Sequence, residues 1–280
     1  MSQIRQLLTI TAGQPATDGA GVKMTRIIGT QALNVLDPFL LLDAFESDRP
    51  DDYIGGFPSH PHRGFETVTY LLAGRMRHKD NAGNEGVIEP GGVQWMTAGR
   101  GIVHSEMPEQ EDGLLMGFQL WVNLPASAKM SAPGYQEFSP AKVPLEQRDN
   151  GTAVRVISGT TGEGTRGPVE NRYVDPLYMD ITLPAGQRFE QAVGATSNAF
   201  IFVIEGGLLV GDSLATLGHR TLGILGEGDR VTVRAADENT RFLLVAGQPL
   251  NEPIARGGPF VMNTREEILQ AFEDYQNGRF

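Results

Sequence analysis

At 280 residues, 40% hydrophobic and 20% charged, the chain has the balance of a soluble globular protein, with room for one large or two ordinary domains. A net charge of −11 without long basic runs argues against a direct grip on nucleic acid, and no apolar stretch reaches membrane-spanning length. With no cysteine, disulfides and thiolate ligands are excluded; this suits a cytoplasmic setting, or a nuclear one in a eukaryote, and leaves nitrogen and oxygen to hold any transition metal.

The 35 glycines and 17 prolines follow no collagen-like period and favour many short strands joined by tight loops. Leu7–Ile10, Ile27–Ile28 and Phe39–Leu42 read as strands between Gly- and Asp-rich turns. Glu46 to Asp52 is an acidic loop just before His60-Pro61-His62. Thr67 to Ala73 is a β-branched and aromatic strand stopped at Gly74. Strands are also expected at Val93 to Met96, at Ile102 to His104 and at Leu114 to Leu124. Residues 139–152 read as a linker and 159–168 as a flexible loop.

Beyond them Phe200 to Gly207 echoes Val68 to Gly74, and Ile224 to Val231 echoes Ile88 to Trp95. The expected architecture is therefore all-β, with two similar domains in tandem at residues 1–140 and 141–280. In that rough register Val193 and Ala195 replace His60 and His62, while Thr240 and Phe242 fall near His104 and Glu106. The second domain would keep the scaffold and lack the ligands. It ends in a helix opened by a Thr264–Glu267 capping box, whose stripe of Ile268, Leu269, Phe272 and Tyr275 is expected to pack on a β-domain.

Three of the five histidines fall into two pairs, His60 with His62 and His104 with Glu106, each spaced i, i+2. Side chains two apart on a strand share a face, so two such strands side by side would aim three imidazoles and a carboxylate at one point. That donor set suits Fe(II), Mn(II), Ni(II), Cu(II) or Zn(II), and at an octahedral ion leaves two positions for water, substrate or dioxygen. Glu66, four residues past His62, would share its face on a continuous strand; ligand, general base and partner for a histidine N–H are all open to it, and the last is favoured. His78 sits in a charged run and is expected at the surface, and His219 in a loop. Glu85 and Glu89 read as solvated turn residues, and Trp95, Trp121 and Phe57 as core or pocket wall.

Several long strings then resemble the pirin family: Phe57 to Leu72 (FPSHPHRGFETVTYLL), Val93 to Glu106 (VQWMTAGRGIVHSE), Leu120 to Pro125 (LWVNLP) and Gly257 to Thr264 (GGPFVMNT). Pirins are bicupins of the cupin superfamily, two jelly-roll-like β-barrels with a metal in the N-terminal one. The resemblance implies metal ligation by His60, His62, His104 and Glu106, with iron as the usual ion. The general cupin pattern His-x-His-x3-Glu-x6-Gly is met at His60, His62 and Glu66, with Gly74 one residue late. The family implies either of two roles. One is quercetin 2,3-dioxygenase activity, with a flavonol-like substrate, dioxygen and Glu106 as the proton acceptor. The other is iron-dependent regulation, by binding a transcription factor or metabolic enzyme. A monomer is expected, and a purely structural metal is the dullest alternative.

Overall fold

A computed structural model describes residues 2–280, and the chain divides into two compact units, each with a seven-stranded and a four-stranded antiparallel sheet, the histidine-bearing one adding a two-stranded hairpin. One unit comprises Gln14–Gly29, Phe39–Ala141 and Leu250–Phe280. The other comprises the N-terminal residues to Gly13, Thr30–Pro38 and Lys142–Pro249. In mid-chain the sequence passes from one unit to the other between Ala141 and Lys142, and both ends cross over. Sequence order does not reveal which sheet edge a terminal strand will join, and here each end joins the unit far from it in sequence.

The chain begins with β1 (Leu7–Ala12), part of the second unit. The first unit then forms β2 (Gln14–Asp18), β3 (Val22–Ile28), β4 (Phe39–Ser47), β5 (Phe57–His62), β6 (Phe65–Ala73) and β7 (Met76–Asp80). It continues with β8 (Glu85–Ile88), β9 (Val93–Thr97), β10 (Ile102–Pro108), β11 (Leu115–Asn123) and β12 (Gly134–Phe138). Its larger sheet runs β12-β9-β6-β11-β4-β3-β2 and its smaller one β5-β10-β7-β8. β6, the strand read from its β-branched run, is buried continuously from Phe65 to Leu71, as a central strand covered on both faces should be. β10 alternates instead, with Ile102, His104 and Glu106 buried. Between β5 and β6 the chain turns at Gly64, whose φ of +88° and whose missing Cβ, which would lie 2.0 Å from Val261 O, admit only glycine.

The second unit contains β13 (Leu145–Gln147), β14 (Ala153–Ser158), β15 (Leu177–Leu183), β16 (Arg188–Ala192) and β17 (Asn198–Glu205). They are followed by β18 (Leu208–Val210), β19 (Ala215–Leu217), β20 (Thr221–Leu225), β21 (Arg230–Ala235) and β22 (Thr240–Gly247). Its sheets run β1-β20-β17-β22-β15-β14-β13 and β16-β21-β18-β19. The expected linker at residues 139–152 therefore includes a strand, β13, paired with β14.

The two units share one topology, in which β16 and β21 occupy the places of β5 and β10. The buried positions there include Phe189 and Gln191 on β16 and Val231, Val233 and Ala235 on β21, of which all but Gln191 belong to the apolar core. The expected register, with Val193, Ala195, Thr240 and Phe242 at the ligand places, was displaced because unequal loops separate the strands. Among the described residues the only three-membered metal-ligating cluster lies in the first unit.

The chain then returns to that unit through β23 (Ala255–Gly257), β24 (Phe260–Met262) and α1 (Arg265–Gln276). The capping box forms: Glu267 N–H donates to Thr264 Oγ1 at 3.2 Å, and Thr264 N–H donates to Glu267 Oε2 at 2.9 Å. Ile268 and Ala271 of α1 bury against Phe260 and Met262. Leu269, counted in the apolar stripe, is 59% exposed. The helix thus packs on the histidine-bearing unit, where Asp274 accepts from Arg63 at 2.8 Å. No helix among the described residues is long and apolar enough to cross a membrane.

Candidate metal centre

His60 and His62 project from β5, and His104 stands opposite His60 on the neighbouring β10. Candidate ligand atoms of the three imidazoles all lie within 4.8 Å of one another. His62 is 3% exposed and His104 1%, whereas His60 is half-buried at the rim.

The contacts of each ring fix which nitrogen is free. His60 Nδ1 lies 2.9 Å from Pro58 O and His62 Nδ1 3.3 Å from Pro259 O. A carbonyl oxygen only accepts, so both Nδ1 atoms carry the proton and both Nε2 atoms keep a lone pair. Those two Nε2 atoms face each other at 3.0 Å. Two lone pairs at that distance repel, unless a cation lies between them. Imidazole nitrogens bound at about 2.1 Å and at right angles around one ion also stand about 3.0 Å apart. The residues therefore fit a metal.

His104 is oriented from behind. Its Nδ1 lies 3.3 Å from Nδ1 of His78, and His78 Nε2 lies 3.2 Å from Asp80 Oδ2. Asp80 also accepts from the backbone of Ala82 and from the backbone and side chain of Asn84, each at 2.9 Å. Burial works against its ionisation, but the bonds from Asn84 and His78 outweigh it and hold its pKa below the usual carboxylate value. An ionised Asp80 accepts a hydrogen bond from His78 Nε2–H. His78 Nδ1 then accepts from His104 Nδ1–H, and His104 Nε2 is left as a buried atom without a partner. All three rings thus present Nε2. Burial, and next the charge of neighbouring rings, lowers the pKa of His62 to about 3 and that of His104 well below its ordinary value. Neutral imidazoles need lose no proton to bind a metal.

His78 was expected at the surface and is instead fully buried, with its ring 5.0 Å from that of Tyr135. The charged run misled because β7 alternates: Met76, His78 and Asp80 are buried, while Lys79 is exposed and Arg77 partly so. That period of two was the available signal. Glu66 was expected on the face of His62. The turn at Gly64 ends β5, so the two residues do not share a strand, and Glu66 accepts from Thr97 Oγ1 at 2.7 Å, away from the cavity wall. His219 is exposed in a turn and Trp95 is core, as read; Trp121 and Phe57 do line the cavity.

Glu106 lies beyond a register shift on β10, and its carboxylate is not one of the clustered donors. It shares with His60 and His62 a cavity of about 590 Å³, within the range of small-molecule sites. Thr69 donates to its Oε1 at 2.7 Å and Gln119 to its Oε2 at 2.9 Å. Met24, Leu41, Phe45, Phe57, Met76 and Trp121 supply the apolar wall. Sequence reasoning missed Thr69, Gln119 and the C-terminal residues Arg256 and Pro259, which reach this cavity from the last strands of the unit.

The family described as Pirin matches residues 21–122, and the Pirin C-terminal cupin domain matches residues 178–280. A pirin-like protein of Caulobacter vibrioides is 57% identical, covering 99% of each chain. Human pirin is 43% identical over all of this chain and 95% of its own. A crystal structure of quercetin 2,3-dioxygenase from Acinetobacter baumannii superposes with a TM-score of 0.90 at 35% identity, covering 99% of both chains.

Proposed function

The chain belongs to the pirin family, and from that membership and the chemistry of its site we propose a mononuclear metal dioxygenase, with iron as the ion, that opens quercetin-like flavonols with dioxygen. One observation carries this reading: His60, His62 and Glu106 line one apolar-walled cavity, and the buried, partnerless Nε2 of His104 clusters with the other two imidazoles. His60, His62 and His104 would hold the metal, with Glu106 as the fourth donor. When bound, the ion supplies Lewis acidity and one-electron exchange with dioxygen.

The protein's own residues do the rest. Glu106 takes the proton of the flavonol hydroxyl as general base. Thr69 and Gln119 hold its two oxygens, so the carboxylate is oriented before substrate arrives. Phe45, Phe57, Leu41 and Met24 offer an apolar lining that would take the fused ring and displace water from it. The regulatory alternative, an iron-dependent module that binds another protein, has no need of such a cavity beside the imidazoles. The test is oxygen uptake by the Fe(II)-loaded protein with quercetin. Wild type should consume oxygen and His62→Ala should not; a wild type no faster than the variant would sink the reading.

A further inference from the structure

Two arginines line the cavity, and only one is spoken for. Arg26 binds Asp43 through two bonds of 2.9 and 2.7 Å and reaches Asp18 at 3.2 Å. Arg256 makes no ion pair among the described residues, and its one hydrogen bond is a long 3.4 Å contact from Nη1 to Leu40 O. A guanidinium carries five N–H donors. Most of those on Arg256 are therefore uncommitted beside a cavity. Its position is nonetheless fixed: Cζ lies 5.1 Å from the Trp121 ring centroid, and that indole packs 4.3 Å from Phe65. His62 meets the same indole edge-on at 5.2 Å. One tryptophan thus carries an unpaired cation and a candidate metal ligand together.

We propose that Arg256 is the anion-recognition residue of this cavity, and that the ligands it selects are planar aromatic molecules bearing an oxyanion, a carboxylate or an ionised phenol. The apolar wall takes the ring, and the planar fork of Arg256 takes the charged oxygens. Burial, followed by the charge of Arg26, lowers the pKa of Arg256, so a bound anion would relieve an existing electrostatic cost. This inference rests on the cavity being a substrate site, and not on turnover.

Calorimetric titration of the Fe(II)-loaded protein without oxygen tests it with three probes: catechol, 3,4-dihydroxybenzoate and 4-nitrocatechol at a pH where its phenol is ionised. All three share the catechol ring; 3,4-dihydroxybenzoate adds a carboxylate, and ionised 4-nitrocatechol carries its charge on one of the diol oxygens. At least one of these should bind about 10- to 100-fold tighter than catechol, and which one does identifies carboxylate or phenolate as the source. Arg256→Gln should erase that advantage while leaving catechol affinity unchanged, and Arg256→Lys should keep part of it. Equal affinity for all three probes, no binding by any, or an advantage that survives Arg256→Gln overturns the proposal. Because no turnover is read, a failed quercetin assay leaves this outcome standing, and the reverse holds too.

Discussion

His78 stands directly behind His104, Nδ1 to Nδ1 at 3.3 Å, and is itself anchored to Asp80. The chain of bonds sets the tautomer of His104, so a residue that never touches the metal governs a lone pair that would. His78→Leu should weaken metal binding about 10- to 100-fold, as losses of such outer partners do. Competition against a calibrated chelator measures this. A His78→Leu protein that holds metal as tightly as wild type would remove the role.

Metal removal should act on stability in the same unit. A ligand that binds only the folded state adds about 2.7 kcal/mol when its concentration is 100 times its Kd. Chelator-treated protein should therefore melt lower than the loaded form, and the gap should shrink in His104→Ala, where one of the three nitrogens is gone.

The metal-free protein should lose stability in acid. His62 titrates near pH 3 when folded and near pH 6.5 when unfolded. Between those values the unfolded chain binds a proton that the folded chain refuses, so stability is full above pH 6.5 and falls as pH drops toward 3. The slope from this one group is about 1.4 kcal/mol per pH unit. Urea titrations of wild type and His62→Phe at pH 7 and pH 4.5 read it. Parallel losses in the two proteins would show that His62 is not the source.

Glu106→Gln keeps the shape of the side chain and removes its basicity. Oxygen uptake with quercetin should fall about 100-fold or more, the usual weight of a general base. The melting temperature should stay near that of wild type, since Thr69 can still donate to the amide oxygen and the Gln119 amide can flip to accept from the new NH2. Unchanged uptake would take the proton-acceptor role away from Glu106.

Lys129 is 1% exposed and donates to Gly64 O, Asn123 Oδ1 and Val261 O at 2.7, 2.6 and 3.0 Å. Lys129→Met would strand three buried acceptors at about 1–3 kcal/mol each before relaxation. A drop of several degrees in melting temperature is expected, with weakened metal binding, because Gly64 and Val261 lie close in sequence to His62 and Pro259. A melt equal to that of wild type would show that the three acceptors find other donors.

The strand-borne histidines were legible because alternation on a β-strand is a local property: His60, His62 and His104 needed only a period of two to be placed together. The capping box of α1 was readable for the same reason, since Thr264 and Glu267 are one turn apart. Glu66 failed where a local rule was carried across Gly64, which ends the strand. His78 was hidden by exposed Lys79 and partly exposed Arg77, whose charge masked the buried positions between them. Arg256 and Pro259 could not be placed at all, because nothing short-range tells a C-terminal hairpin which unit it will join. The second-unit register slipped for a related reason: the strands matched, but loop lengths did not.

The split composition of the histidine-bearing unit has a consequence in time. During synthesis His104 emerges well before Pro259 and Arg256, and at ordinary elongation rates the interval is on the order of ten seconds. For that interval the nascent unit waits, without its C-terminal hairpin and helix, while most of the partner unit is translated. The cavity is thus assembled late, although its first histidine lies in the first quarter of the chain.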